Sequence, residues 1–212
     1  MLILEIVVIL VSYALGSVSS AILVCRLSGL PDPRTAGSKN PGATNVLRLG
    51  GKFLAGCVLA GDVIKGILPV YVASLFFPMW VVSCCWLAAF LGHVWPVFFR
   101  FQGGKGVATA FGGLLALHWP LALGTFGVWL AVAMITRYSS LAALLSAIVC
   151  PILTWWMLDS LVASTALMIS SILLYRHKAN IVRLLQGQES KIGQKSNKKL
   201  HQRIEEEDVI EK

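Results

Sequence analysis

Seven apolar runs, separated by short polar segments, occupy most of this sequence. They cover residues 3–25, 53–77, 80–99, 106–117, 119–136, 138–157 and 160–177. A helix that crosses a bilayer needs about 20 mainly apolar residues, and every run except the fourth comes close to that length. Charged residues make up only 13% of the chain, whereas soluble domains contain about 25%. The runs therefore predict an all-α integral membrane protein.

The distribution of basic residues predicts how the runs cross the membrane. Of 18 Lys and Arg residues, five lie between the first two runs and nine lie at or after the last run. They are Arg26, Arg34, Lys39, Arg48 and Lys52 in the first group, and Arg176, Lys178, Arg183, Lys191, Lys195, Lys198, Lys199, Arg203 and Lys212 in the second. Basic loops stay in the cytoplasm, so both groups share one side and the number of spans is odd.

We therefore predict about seven transmembrane helices, with the N-terminus outside and the C-terminus in the cytoplasm. By length alone, residues 106–136 form either one tilted helix or two, and seven spans require two. The three loops then assigned to the outside, near Pro78, Trp119 and Asp159, contain no Lys or Arg. Five spans remain possible if two of the runs are re-entrant.

The chain divides into two parts by composition. Residues 1–186 contain all the apolar runs and are predicted to form a transmembrane domain, which would also hold any functional site. Residues 187–212 are polar and charged and are predicted to form a disordered cytoplasmic tail.

The first cytoplasmic loop has the composition of a phosphate-binding site. Its segment GSKNPGATNVLR, residues 37–48, combines glycines with short polar side chains and cations. Glycine lets backbone amides approach an anion closely, and arginine matches phosphate geometry. The candidate binding residues here are Ser38, Asn40, Thr44, Asn45 and Arg48.

A second segment of this type is FQGGKGVAT, residues 101–109. Lys105 is flanked by glycines at a predicted helix start, where free amides and the helix dipole favour an anion. The spacing of a Walker A motif is absent. We expect Gly103, Gly104 and Lys105 to bind phosphate, although a flexible hinge with one interfacial lysine would have the same sequence.

Four polar residues at other predicted cytoplasmic edges are further candidates. His177 and Asn180 are three residues apart and share a helical face where the last run ends. Ser140 lies three residues after Arg137, which follows the fifth run, and His93 lies ten residues before Gly103. The alternatives are an interfacial cluster for His177 and Asn180, a helix cap for Ser140 and a hydrogen-bonded core residue for His93.

Asp62 and Lys65 lie inside the second run. An ionisable residue in the membrane is costly and usually marks function. Their spacing also lets them pair on one helical face, so structural pairing and catalytic support are equally consistent with the sequence. The spacing of the five cysteines suits no metal site, and we expect neither a metal nor a cofactor.

At this point the motifs resemble those of a known family. The segments are GSKNPGATNVLR at 37–48, GHVWPVFFRFQGGKGVAT at 92–109 and RHKANIVRLLQGQE at 176–189, with GDVIKG at 61–66 and RYSS at 137–140. They resemble the acyl-phosphate-dependent glycerol-3-phosphate acyltransferases of bacteria, the PlsY family, and the similarity extends from about residue 12 to 190. Lys39 departs from the family, which often has glycine there.

The resemblance implies transfer of a fatty acyl group from acyl-phosphate to the 1-hydroxyl of glycerol 3-phosphate. The products would be lysophosphatidic acid and phosphate, in the first acylation of phospholipid synthesis. It also implies a multi-pass protein of the bacterial inner membrane, with its active site facing the cytoplasm. We expect both phosphorylated substrates and the lipid bilayer as partners, no nucleic acid, and a monomer.

The residue roles follow from this chemistry. Arg48 and Lys105 would bind phosphate, while Ser38 and the amides of the second segment would orient it. His177 would position glycerol 3-phosphate or relay a proton, so Ser38, Lys105 and His177 are the predicted catalytic residues. Acyl-phosphate is an activated anhydride, so no acyl-enzyme is needed, and the chain has no HxxxxD motif.

The alternative is a transporter or exchanger of organic phosphates, which would also need cationic sites. A transporter normally binds its substrate near the midplane of the bilayer and uses broken helices. It would also offer polar residues on both faces. Here the loops predicted to lie outside have no polar motif, which favours the enzyme.

Overall fold

The computed structural model describes residues 1–193, and this part of the chain is entirely helical, as predicted. The helices are α1 (Leu2–Gly16), α2 (Ser20–Leu27), α3 (Ala43–Phe76), α4 (Met79–Val94), α5 (Val107–Leu117), α6 (Trp119–Thr136), α7 (Ser139–Met157), α8 (Ser160–Arg176) and α9 (Lys178–Leu185). A short 3-10 turn covers Val97–Phe99. The predicted tail beyond residue 193 lies outside the described residues.

Four helices of the described part are long and apolar enough to cross a membrane: α3, α4 with its 3-10 turn, α6 and α7. The pair α1 and α2, bent by 41°, would be a fifth span if it counts as one. Two further apolar helices, α5 and α8, are shorter, with 11 and 17 residues. Residues 106–136 form two helices, because His118 ends one and caps the next.

The first apolar run does not form a single straight helix. It breaks at residues 17–19, where two serines compete with the helix for backbone hydrogen bonds. The Ser17 hydroxyl donates to the carbonyl of Tyr13 at 2.9 Å, and the Ser19 hydroxyl caps α2. The break leaves the carbonyl of Val18 available to accept a hydrogen bond from Lys65 Nζ, at 2.8 Å. Hydropathy does not reveal this break, because the run stays apolar on average.

Helix α3 contains a kink that separates its N-terminal turns from its apolar part. Gly51 has a φ of +85°, a left-handed conformation that favours glycine. The turns before the kink therefore contain the end of the predicted phosphate-binding segment, residues 43–48, while the apolar part starts after the kink.

Glycines bring two pairs of helices into backbone contact. A Cβ added to Gly92 in α4 would lie 2.3 Å from the carbonyl oxygen of Tyr13 in α1. A Cβ added to Gly112 in α5 would lie 2.2 Å from the carbonyl oxygen of Val63 in α3. Small residues of this kind let membrane helices approach closely and pack by van der Waals contact. These contacts hold α1 against α4 and α3 against α5.

We expect Gly92→Ala to lower the thermal unfolding temperature of the purified protein in detergent. The new methyl group meets backbone rather than a movable side chain, and overpacking of this kind costs about 1–3 kcal/mol. Gly127→Ala in α6 is the matched control, because nothing lies within 4 Å of a Cβ at that position. Equal unfolding temperatures for the two variants would contradict the close α1–α4 contact.

Candidate active site

Asn45 holds the α2–α3 loop in its conformation. Its side-chain amide donates to the carbonyls of Pro33 and Ala36, at 2.9 and 3.0 Å. Its Oδ1 accepts from the N–H of Ser38 at 2.8 Å, and a Cβ on Gly37 would lie 2.2 Å from that oxygen. Asn45 is buried, and its amide is fully used within the loop. Its position suits loop support better than direct contact with a ligand.

The other candidates of the first segment are more accessible. Ser38, Thr44 and Arg48 are exposed, and Asn40 is half-buried. Lys39 adopts a φ of +57°, a left-handed conformation that costs glycine nothing. This conformation explains why a glycine suits that position in the family, and it leaves the neighbouring hydroxyls and Arg48 free to face a ligand.

The second segment is an extended loop, residues 102–106, which we call the glycine loop. The N–H of Gly104 donates to the carbonyl of His93 at 3.1 Å. Arg176 Nη2 donates to the carbonyls of Gly103 and Gly104, at 2.9 and 3.2 Å. A Cβ on Gly104 would lie 2.8 Å from the carbonyl oxygen of Pro41. The glycine loop therefore lies against the first segment, α4 and the end of α8.

Lys105 lies between the second and third segments. Its ammonium group donates a hydrogen bond to Asn180 Oδ1. The pKa of Lys105 is lowered to about 8, mainly by burial; Glu189 opposes the shift, and the positive charges of Arg183, Arg176 and Arg48 contribute to it. Several cations thus converge on one partly dehydrated place, and a bound anion would relieve their repulsion.

Glu189 joins the third segment to Ser140, and the sequence analysis missed it. Its Oε1 accepts from the Ser140 hydroxyl and from Asn180 Nδ2, both at 2.7 Å. Its Oε2 accepts from Arg183 Nε at 2.7 Å. Burial raises the pKa of Glu189, but these hydrogen bonds and Arg183 outweigh burial and leave it lowered. The carboxylate is therefore ionised near neutral pH. Glu189 ends the quoted third motif, and that position is the signal that could have identified it.

The described part of the predicted tail packs on the helical bundle. The N–H of Ile192 donates to the carbonyl of Arg137 at 2.7 Å, and Arg137 Nη2 donates back to the carbonyl of Ile192 at 3.0 Å. Residues at the start of the predicted tail thus contact the helical part of the chain, through Glu189 and Ile192.

His177 presents one ring nitrogen to its own helix. Its Nδ1 lies 2.9 Å from the carbonyl oxygen of Leu173, which can only accept, so Nδ1 carries the hydrogen. The pKa of His177 is lowered to about 4, mainly by burial and also by the charge of Lys105, while the hydrogen bond to Leu173 opposes the shift. The ring is therefore neutral near pH 7, with a lone pair on Nε2.

His93, predicted to bind substrate, lies between the glycine loop and the buried side chains of Thr109 and Asp62. Its side chain is buried, and its Nε2 would be 2.3 Å from a Cβ on Gly104. On the other side of the ring are Thr109, Asp62 and Lys65. The ammonium group of Lys65 lies 2.9 Å from Asp62 Oδ1, as the sequence spacing predicted.

Four helices begin around this site: α3, α5, α7 and α9. Contacts of Gly104 with Pro41, of Lys105 with Asn180, and of Glu189 with Ser140 and Asn180 join their N-terminal ends. None of these four helices has a side-chain cap. Of the helices that begin at the opposite end, α6 and α8 are capped by His118 and Asp159, whereas α1 and α4 also lack a side-chain cap. Free N–H groups and helix dipoles thus add to the cations, as expected of an anion site.

No group of three His, Cys, Asp or Glu residues within residues 1–193 is arranged to hold a metal ion. The donors that converge here are amides, hydroxyls and cations, which suit a phosphate rather than a metal.

Comparisons with known proteins agree with this chemistry. Residues 6–187 match the family model for glycerol-3-phosphate acyltransferase. The glycerol-3-phosphate acyltransferase of Cronobacter sakazakii is 51% identical over 199 residues, which are 93% of this chain and 96% of that protein. The enzyme of the same name from Shewanella sediminis is 52% identical over 88% of this chain and 94% of its own length.

Two crystal structures of PlsY, an integral membrane glycerol 3-phosphate acyltransferase, share the fold. The glycerol 3-phosphate form superposes with a TM-score of 0.86 at 38% identity and covers 89% of this chain and 96% of that one. The lysophosphatidic acid form gives a TM-score of 0.83 at 37% identity, covering 89% and 95%. The described helices are thus those of an integral membrane protein, and the chain belongs to the glycerol-3-phosphate acyltransferase family.

Proposed function

We propose that this protein transfers a fatty acyl group from acyl-phosphate to the 1-hydroxyl of glycerol 3-phosphate, giving lysophosphatidic acid and phosphate. The observation that carries the proposal is the convergence of three separate segments on Lys105, where cations and uncapped helix ends surround one partly dehydrated place. Both substrates carry a phosphate group, so a site that binds anions without a metal fits the pair. The relatives named for this activity support it.

In the reaction the hydroxyl oxygen of glycerol 3-phosphate attacks the acyl carbon of the anhydride. The bond between that carbon and the bridging oxygen breaks, and phosphate leaves with the electron pair. The hydroxyl proton passes to a phosphate oxygen, either directly or through Nε2 of His177. Negative charge grows on the leaving phosphate, and the cations and amides around it stabilise that charge.

The twelve predicted residues contribute to this site in three ways. Those proposed to contact substrate are Ser38, Asn40, Thr44, Arg48, Gly103, Gly104, Lys105, Ser140, His177 and Asn180. Asn45 and His93 act from behind them, by supporting the two loops. Among these, Ser38, Lys105 and His177 are the proposed catalytic residues.

We propose seven membrane segments, with the bent pair α1–α2 as the first and α3 to α8 as the rest. The active site then faces the cytoplasm of a bacterial inner membrane, the N-terminus lies outside, and the protein acts as a monomer. Support comes from charge: Arg26, Arg34, Lys39 and Lys52 lie on the side of the site, whereas the ends near Pro78 have no Lys or Arg.

The topology predicts opposite labelling of two single cysteines in a background without native cysteines. A cysteine at Trp119 should react with an impermeant thiol reagent added to intact cells, because that loop is proposed to lie outside. A cysteine at Lys199 should react only after the membrane is opened. Labelling of Lys199→Cys in intact cells would contradict the proposed orientation.

The activity is tested with purified protein, glycerol 3-phosphate and two acyl donors compared side by side. Lysophosphatidic acid is expected from acyl-phosphate and not from acyl-CoA, because no segment is left over to bind the nucleotide. Equal rates with both donors would overturn the choice of donor. Exchange of phosphate across sealed vesicles without any product would instead favour the transporter.

A further inference from the structure

A buried polar network lies directly behind the glycine loop and joins α3, α4 and α5. Asp62 Oδ1 lies 2.9 Å from Lys65 Nζ and 3.6 Å from His93 Nδ1. Lys65 also donates to the carbonyl of Val18 at the break between α1 and α2. A buried ion pair needs further hydrogen bonds to its remaining lone pairs and protons. This network extends beyond the pair to a histidine that touches the glycine loop.

The hydroxyl of Thr109 fixes the orientation of the His93 ring. It donates its hydrogen to the backbone carbonyl of Asp62 at 3.0 Å. A hydroxyl has one hydrogen to donate, so its 3.1 Å contact with His93 Nδ1 must be a hydrogen bond donated by the ring. Thr109 therefore holds the Nδ1 side of the His93 ring, with the Asp62 carboxylate close by, and the Nε2 side faces Gly104.

The glycine loop contacts His93 through both backbone and ring. The N–H of Gly104 binds the His93 carbonyl, and a Cβ on Gly104 would lie 2.3 Å from Nε2. A Cβ on Gly103 would lie 2.1 Å from the His93 carbonyl oxygen. A rotation of the ring would therefore displace the backbone that carries Lys105.

We propose that Thr109 and Asp62 are positioning residues that act through His93 to hold the glycine loop in its phosphate-binding conformation. This inference rests on the proposed function, in which that loop binds a substrate phosphate. The residues do not touch substrate themselves. Instead, they fix the positions of the glycine-loop amides and of the Lys105 ammonium group, which are the groups proposed to contact the phosphate.

The test compares Thr109→Val with Thr109→Ser by measuring kcat and the KM of each substrate. Valine keeps the volume and removes the hydroxyl, whereas serine keeps the hydroxyl and leaves a methyl-sized gap. Positioning predicts that Thr109→Val raises the KM of acyl-phosphate, whose phosphate the glycine loop is proposed to bind, about tenfold, as expected for the loss of one hydrogen bond. The KM of glycerol 3-phosphate and the unfolding temperature should stay near wild type. Thr109→Ser should resemble wild type in both KM values.

A packing role predicts the reverse order, because the gap left by serine would be the damaging change. That order, or an equal change in both KM values, would overturn the positioning role. His118→Asn is the matched control, since this histidine caps α6 at the opposite end and an asparagine also caps helices. Its KM values should not change.

A double-mutant cycle tests whether Thr109 acts through His93. His93→Asn keeps a donor near Thr109 but withdraws the ring edge from Gly104, so it should raise the same KM. In the His93→Asn background, Thr109→Val should add little, because residues that act through one another are not additive. Full additivity would contradict the proposed connection.

The wild-type rate tests the proposed function by itself. If wild type is active and the variants keep both KM values, the positioning role alone is wrong. If wild type makes no lysophosphatidic acid, the same variants are compared by the concentration of inorganic phosphate that gives half-maximal thermal stabilisation. No difference between Thr109→Val and Thr109→Ser in that measurement also overturns the positioning role.

Discussion

Lys105→Met is expected to lower turnover ten- to a hundred-fold while the protein stays folded. Methionine keeps most of the apolar stem and removes the charge that meets the leaving phosphate. A hydrogen bond to a charged group contributes about 1.5–3 kcal/mol, and each ~1.4 kcal/mol is a tenfold change in rate. Steady-state kinetics on purified protein give the loss. Lys178→Met is the control, because that lysine is exposed and its ammonium group lies 4.9 Å from the centre of the Tyr175 ring.

The same lysine gives the free enzyme a basic limb in its pH profile. The pKa of Lys105 is about 8, so its charge is complete at lower pH and is lost as the pH rises through about 8. We expect kcat/KM to fall above that pH. Lys105→Arg should lose this limb, because the guanidinium stays charged at all working pH values. An unchanged profile in Lys105→Arg, or normal turnover in Lys105→Met, would make Lys105 a surface cation and remove it from the site.

His177→Asn is expected to lower turnover about a hundredfold, the lower end of what a positioned proton acceptor contributes. Asparagine can still donate to the carbonyl of Leu173, so the end of α8 should keep its structure. What it removes is the lone pair of Nε2, which we propose accepts the hydroxyl proton of glycerol 3-phosphate. A variant with wild-type turnover would exclude His177 from the proton path.

The pH dependence separates this role from an electrostatic one. Because the pKa of His177 is about 4, the ring is neutral at all higher pH values and gains charge only below that. The ratio of wild-type to His177→Asn turnover should therefore stay constant between about pH 7 and 5, since ionisation of the substrate affects both proteins equally. A ratio that falls near pH 6.5, the usual pKa of histidine, would show that His177 titrates normally in solution.

The segments proposed to form the site could be identified in the sequence because phosphate-binding chemistry depends on local composition. Glycines, short polar residues and cations within one segment are visible without a structure, and residues 37–48 and 103–105 do lie together. The family expectation was confirmed for the same reason. The division of residues 106–136 into two helices was also confirmed. The distribution of basic residues had predicted it, because an odd number of spans requires two helices there.

Other parts depend on direction and distance, which the sequence does not encode locally. Glu189 lies in a polar stretch that composition assigns to the tail, yet its carboxylate returns to Ser140 and Asn180. The residue types of Asn45 and His93 suggested binding, but only the fold shows that their side chains face the loops from behind. The break at residues 17–19 was missed because serine hardly changes the mean hydropathy of an apolar run.

The uncapped N-termini of α3, α5, α7 and α9 have a consequence for mutagenesis. Their N–H groups are donors that no side-chain substitution deletes and no accessible pH deprotonates. Every single variant of Ser38, Arg48 or Lys105 should therefore retain a residual affinity for phosphate. Saturation binding of phosphate to a Lys105→Met protein, rather than its activity, measures that residual affinity, which the main chain and the remaining cations supply together.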